Sequence, residues 1–454
     1  MITPIITRQP LWSSGGGDGA DHTIGPHENT GVMIIPEPAS IVYMNFNPFI
    51  PGKIIDTDLG AKEKINGTLD LYVNGAWYKT YAEVSIQGSG SAAAAVRLKN
   101  WTFKFLDAAT VDSKGGKQQI KLGDSPTFTR LMLKSSWSDP TKIRDPLSNT
   151  IWRQMVESRD NPYLYEPDVK WLMYENAYDG GSTPAKGFPD WWQTAFYVEG
   201  RLYSIGNLAL TKEPENYNMA EDDQESLDTI FRVESRGWAE AYVDGVIGEG
   251  VDFIVPDSEW DVDRKKSMTD FLEFVQSDKD DFKLNFDTFL DEDNAIRYHL
   301  FLSFVGDRDG TNEMMVVSYD QQKWYFLPWD KDSTFGNYGS TYGGIDTRPD
   351  GVVVESQSFT NSMLMPWTRI LYSKRAEVEA MYAYFRNEGI FSVRNIRSLV
   401  YKLRSFYPES LVKEDYDKIK DINVDTYAES STTQLIDWVT KRLAYLDAYY
   451  NYTP

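Results

Sequence analysis

The stretch LDLYVNGAWYKTYAEVSIQ, residues 69–87, constrains the fold most tightly, because β-forming residues recur at period two on both sides of Asn74-Gly75. Period two sends alternate side chains to opposite faces of a strand. Asn-Gly supplies the two left-handed residues of a type I′ turn, whose twist matches the strands it joins. The spacing predicts an antiparallel hairpin turning at residues 74–75. WTFKF, Trp101 to Phe105, continues the period, and residues 41–125 read as a small antiparallel sheet.

After SPTFTRLMLKSS the texture changes to helical spacing. PLSNTIWRQMVE (Pro146 to Glu157), SMTDFLEFVQS and DNAIRYHLFLSFV all read as helices, the last with Ala295, Ile296, Phe301 and Phe304 on a buried face. STTQLIDWVTKRLAYLDAYY opens with a Ser431/Gln434 capping box and sets Leu435, Trp438, Val439, Arg442 and Leu446 on one side. The expected architecture is α+β. Residues 1–40 form a glycine-rich arm, 41–125 a β-rich lobe, and 126–454 a mainly helical lobe. The arm holds SSGGGDGADHTIGPHENTG, which cannot supply a core, so it is expected to contact another chain. Acidic patches such as AEDDQES (Ala220 to Ser226) read as solvated loops.

Composition narrows the chemistry. A net charge of -22 disfavours both nucleic-acid backbones and anionic membrane surfaces, which attract clustered Lys and Arg. With no cysteine and only His22, His27 and His299, thiolate zinc sites and cysteine nucleophiles are excluded and carboxylates must carry most of the chemistry. The start MITPIITRQPLW lacks the basic and apolar regions of a signal peptide, and no run reaches the roughly 18 apolar residues of a membrane span. A cytoplasmic or virion location is expected.

The sharpest chemical feature is FVGDRDGTNEMMVVSYDQQKWYFLPWDKDSTFG, Phe304 to Gly336. Asp307, Asp309 and Asn312 follow a helix, and the hairpin MMVVSYDQQKWYFLP delivers Asp330 and Asp332 back toward them. Phosphoryl transfer needs such a grouping: hard oxygen ligands for Mg²⁺, a carboxylate to orient the attacking hydroxyl, and an Asn to complete the metal shell. Asp307 and Asn312 have the D-x-x-x-x-N spacing of a kinase catalytic loop, and Asp330 stands where a kinase keeps its metal-binding Asp. A Ca²⁺ loop fits poorly, because an EF-hand needs glycine at its sixth position and Asn312 stands there. A second W-D-x-D, Trp260 to Asp263, lacks the preceding D…N loop and reads as an ordinary turn. Upstream, SIQGSGSAAAAVRLKNWTFKF places Gly88 and Gly90 after a strand and Lys99 at the start of the next. Small residues let backbone N–H groups approach phosphates, and a strand-borne lysine can hold their charge.

Together these motifs resemble the spore-coat CotH kinase family, including relatives encoded by phages. The resemblance rests on IQGSGS…RLKNWTFKF, LMLKSSWSDPTKIRDPLSNTIW, FYVEGRLYSIGNLALTKEPENYN, FVGDRDGTN and WYFLPWDKDSTFG, spanning about residues 84–336, with IDWVTKRLAYLD as the family's last helix. It implies a divergent protein-kinase-like fold, with a small antiparallel β lobe and a larger helical lobe, that uses ATP and Mg²⁺ or Mn²⁺ to phosphorylate protein Ser or Thr. Carried over, Lys99 contacts ATP phosphates and Asp330, helped by Asp332, binds metal. Asp139 and Arg144 form a structural or site-lining pair. Lys212, in LTKEPENYN, is an alternative phosphate contact. The family loop resembles G-N-x-D followed by Asn, which aligns Asp309 with the catalytic Asp, whereas kinase spacing favours Asp307. The run GSGSAAAA departs from the bulkier polar run expected before the lysine, which weakens the implied nucleotide grip.

A second reading makes the chain a phage virion component, in a tail, baseplate or fibre, that keeps the fold as an interaction module against neighbouring subunits. A glycine-rich leader and abundant aromatics favour it. A glycosidase has no specific motif here.

Overall fold

The computed structural model describes residues 23–24, 31–51, 64–87, 99–107, 116–125, 127–136, 139–159, 190–210, 229–233, 238, 240–244, 246–248, 251–255, 262–307, 314–318, 323–337, 365–418 and 431–454. The chain divides into two compact units. One comprises Met1–Trp137, Trp191–Ala209 and Phe406–Ile419; the other comprises Ser138–Asp190, Leu210–Ser405 and Lys420–Pro454.

The first unit is built from β1 (Thr23–Ile24), β2 (Val32–Ile35), β3 (Val42–Pro48), β4 (Lys64–Val73), β5 (Ala76–Gln87), β6 (Asn100–Leu106), β7 (Gln119–Leu122), β8 (Arg130–Lys134), β9 (Trp191–Val198) and β10 (Arg201–Leu210). The Asn-Gly hairpin forms as expected: Val73 pairs with Ala76, and Asn74 and Gly75 take φ of 51° and 89°. The sheet order is β1-β5-β4-β3-β9-β10-β8-β6, and β5 also pairs with β6. Seven strands therefore close into a ring, with β1 added in parallel beside residues 78–79 of β5. This is a barrel rather than the small antiparallel lobe expected. Beyond residue 125, β8 joins the ring and β9 and β10 complete it, turning at Glu199-Gly200, both left-handed. They were missed because β9 is buried almost throughout and shows no alternation. Closure leaves fewer raw edges.

Trp101, Phe103, Phe196 and Tyr203 fill part of the core, with ring centroids 5.0–5.8 Å apart. Val32, Met33 and Ile35 are buried where β2 pairs in parallel with β7. The end of the expected arm is thus part of the folded unit, as its β-branched run VMII allows. The rest of the expected arm, apart from β1, falls outside the described residues.

The second unit contains α1 (Arg144–Glu157), β11 (Thr229–Val233), a short hairpin of β12 (Tyr242–Val243) and β13 (Val246–Ile247), β14 (Val251–Val255), α2 (Val262–Gln276), α3 (Lys279–Phe289), α4 (Glu292–Val305), β15 (Met314–Ser318), β16 (Trp324–Pro328), α5 (Met365–Ser373), α6 (Arg375–Asn387), α7 (Val393–Ser405) and α9 (Thr432–Tyr449); α8 (Glu409–Asp417) belongs to the first unit. Strands β14-β11-β15-β16 make an antiparallel sheet. From Asn294 to Val305, α4 is buried all round, not on the single face that its apolar spacing suggested. It is the central helix, packed by α1, α5, α6, α9 and β16. Trp152, Tyr298, Phe326 and Trp367 pack there, with ring centroids 4.9–5.8 Å apart.

Candidate functional site

The site in the second unit grows from two chain reversals. Helix α4 starts at Asp291, whose carboxylate accepts from the N–H of Asn294, and ends at Gly306 with φ 63°. A side chain at Gly306 would meet the Trp438 ring at 2.6 Å, so only glycine lets α4 turn against α9 here. Asp307 follows immediately. The hairpin then pairs Met314 with Pro328 and Ser318 with Trp324, so its open end brings the chain at Met314 beside the chain leaving Pro328.

Past Pro328 the chain leaves the ladder and Asp330 adopts φ 56°, a left-handed geometry that Asp tolerates better than most residues. The next side chain, Lys331, points inward and ion-pairs with Asp307 at 2.6 Å, both fully buried. Burial pushes the Lys331 ammonium down, but Asp307, with Tyr298 and Asp330 behind it, outweighs this and holds it above the ordinary lysine range. Tyr298 is pushed up, chiefly by burial. Asp330 and Asp332, on either side of Lys331, remain half-exposed.

The turn is pinned from several elements. The backbone N–H of Lys331 donates to Asp145 at 3.0 Å, and Thr334 donates its hydroxyl to the Lys331 carbonyl at 3.0 Å. The N–H of Phe335 donates to Val305 O at 2.7 Å. Arg144 donates to Asp139 at 2.5 Å, to the Thr334 carbonyl at 3.1 Å and to Gln434 at 2.8 Å. Asp139 and Arg144 are thus a buried structural pair that clamps the turn, not a surface ion pair. Gln434 serves this clamp, so the α9 cap is one-sided: Ser431 accepts from the N–H of Gln434, whose own side chain faces Arg144 and the Phe335 carbonyl.

The structure brings together Asp307 and the Asp330–Asp332 turn. Asp309, Asn312, Gly88, Gly90 and Lys212 lie outside the described residues, as does Asp261 of the second W-D-x-D. Lys99 lies in the first unit, at the entry to β6. It is buried, and burial lowers its pKa. Its backbone is fixed by two side chains: its N–H donates to Tyr203 Oη at 2.9 Å and its carbonyl accepts from Ser135 at 2.7 Å. His299 is a core residue whose Nε2 lies 3.1 Å from Tyr450 Oη, and burial pushes it down to about 3. Sequence reasoning missed Lys331 and Tyr298. The available signal was a lysine set between two aspartates as the chain leaves a wholly buried strand.

The described geometry defines an α+β protein whose half-exposed carboxylates ride on a turn anchored by a buried lysine–aspartate pair. Residues 256–446 match the family model for CotH kinase protein. The span takes in Asp307, Asp309, Asn312, Asp330 and Asp332; Gly88, Gly90, Lys99 and Lys212 precede it. No curated protein matches the chain.

Proposed function

We propose that the chain is a CotH-type protein kinase, transferring phosphate from ATP to protein Ser or Thr with a divalent metal, on a divergent kinase-like arrangement of its β and helical parts. The observation that carries this reading is the Asp330–Lys331–Asp332 turn, which holds its central lysine in the core and leaves the two carboxylates accessible. Their hard oxygens suit Mg²⁺ or Mn²⁺. Among the described residues no group of three or more His, Asp or Glu side chains is clustered for a metal, so a full shell draws on Asn312 or Asp309 as well. A metal held there by Asp330 and Asp332 would supply charge neutralisation to the transferring phosphoryl group.

Burial bears on the choice between the two loop aspartates. Asp307 is fully buried and engaged by Lys331, which suits a structural anchor. Asp309 is then the residue that orients the attacking hydroxyl and takes its proton. Lys99 supports the ATP phosphates, with Gly88 and Gly90 offering backbone N–H groups and Lys212 a second cation.

The test follows labelled phosphate from ATP to protein with Mg²⁺ or Mn²⁺, beside calorimetric ATP binding. Asp330→Asn and Asp309→Asn are expected to lower turnover by roughly 10²-fold or more, the scale of removing one preorganised electrostatic contact, with folding intact. Asp261→Asn is expected to be silent. A wild-type chain that neither binds ATP nor transfers phosphate would sink the kinase reading and leave that of a virion component contacting neighbouring subunits.

A further inference from the structure

The inward face of α7 is apolar, with Ile396, Val400 and Leu403 buried against the second unit. Its outward face carries Arg394, Arg397, Tyr401 and Lys402, all exposed, and Tyr401 is 62% accessible. The side chains of Arg394, Arg397 and Lys402 make no ion pair with any described residue. Residues 389–408 hold four cations and no Asp or Glu, in a chain with 68 acidic residues and a net charge of -22.

A face that only kept the protein soluble would share the sign of its surroundings or mix both signs. Lys402 and Arg404 complement the partial negative charge at the helix C-terminus and need no other reason. The other end is different. The first turn of α7 has no acidic residue and carries Arg394, where the helix N-terminus is already partly positive. Arg397 stands three residues on, so the two like charges are neighbours on the helix surface. Both placements oppose helix stability, which points to a use for the charge.

We propose that this face of α7 docks a carboxylate-rich segment of a partner protein. From Arg394 to Lys402 the helix advances about 12 Å, the length of about four residues of extended chain. An acidic segment of that length meets three cations and the flat ring of Tyr401 between them. Charge complementarity selects this occupant over a nucleic acid, because a long polyanion would also run over the acidic remainder of the surface. The inference stands whether or not the chain transfers phosphate.

The test uses the full chain and a fluorescein-labelled oligoglutamate peptide, followed by fluorescence anisotropy at low and physiological salt. Wild type is expected to bind, more weakly as salt screens the contacts. The pair Arg394→Gln/Arg397→Gln should weaken binding at least about tenfold, or about 1.4 kcal/mol. Lys279→Gln/Lys283→Gln, which removes the same charge from exposed positions on α3, should change it less than about twofold by comparison, since a general charge effect of two units is screened at about 8 Å in physiological salt. Arg394→Glu separates docking from folding: it should raise the melting temperature while lowering peptide affinity. Absence of wild-type binding, equal weakening by the two double variants, tighter binding of duplex DNA than of the peptide, or a lower melting temperature in Arg394→Glu would each overturn the proposal.

Discussion

Asn74 and Asp330 share a backbone geometry, with φ of 51° and 56°, but are held there in different ways. Asn74 is followed by a left-handed glycine and flanked by strands whose ladder runs from Lys64/Ser85 down to Val73/Ala76. Its side chain adds two bonds, donating to Glu37 O at 2.7 Å and accepting from Ala39 N–H at 2.8 Å. Asp330 has no glycine beside it and no tight hairpin. Its turn is held by Asp307, Asp145, Arg144 and Thr334, three of which lie far away in sequence. The first turn is encoded mainly by its hairpin, the second by buried polar contacts, and only the second carries half-exposed carboxylates.

The largest effect should come from breaking the distant anchor. Lys331→Met leaves Asp307 charged and buried without its partner, which should cost about 3–5 kcal/mol in urea unfolding. Lys331→Met combined with Asp307→Leu should recover much of that loss. A single variant as stable as wild type would show that the buried pair does not hold the turn.

An intermediate effect comes from pH, which should touch the tertiary-held unit and spare the hairpin. His299 is neutral in its buried site, with its pKa lowered to about 3 by burial, against about 6.5 when unfolded. Below about 6.5 the unfolded chain binds a proton that the native state refuses. This contribution is therefore complete above that value and lost as pH falls toward about 3, by up to about 1.4 kcal/mol per pH unit. His299→Gln should flatten the wild-type slope between pH 6.5 and 4.5; identical slopes would reject this.

The smallest effects lie in the backbones of the two turns. Gly75→Ala meets no atom within 4 Å, so only the strain at φ 89° remains, about 1–2 kcal/mol. Asp330→Gly should relieve a comparable strain while adding chain entropy of about 0.5–1 kcal/mol to the unfolded state, so the two nearly cancel. If Asp330→Gly destabilises more than Gly75→Ala, the Asp330 side chain braces the turn rather than serving a ligand.

These contrasts mark what was legible in the sequence. The Asn-Gly hairpin, the helices with clear apolar spacing and the return of the β15–β16 hairpin could be read, because each depends on neighbours in sequence. Strands β9 and β10 could not, since a strand buried on both faces loses its period. The turn's carboxylates stood out by type. The inward path of Lys331 did not, because it depends on Asp307, 24 positions earlier, and on the buried surroundings of Tyr298.

The ring in the first unit also obeys a parity rule. Strand directions must match after one full circuit, so the number of antiparallel neighbours is even. The β3–β9 pair is parallel, and five pairs are antiparallel by register. The remaining neighbours, β8 and β10, must therefore run antiparallel. The order of the ring strands along the chain also sets a timetable for a chain made from its N-terminus. When residue 137 has emerged, five ring strands exist as an open sheet edged by β3 and β8, each a template for stray pairing. Both edges stay raw until residues 191–210 arrive, so a nascent or truncated chain ending between these points is at its most adhesive.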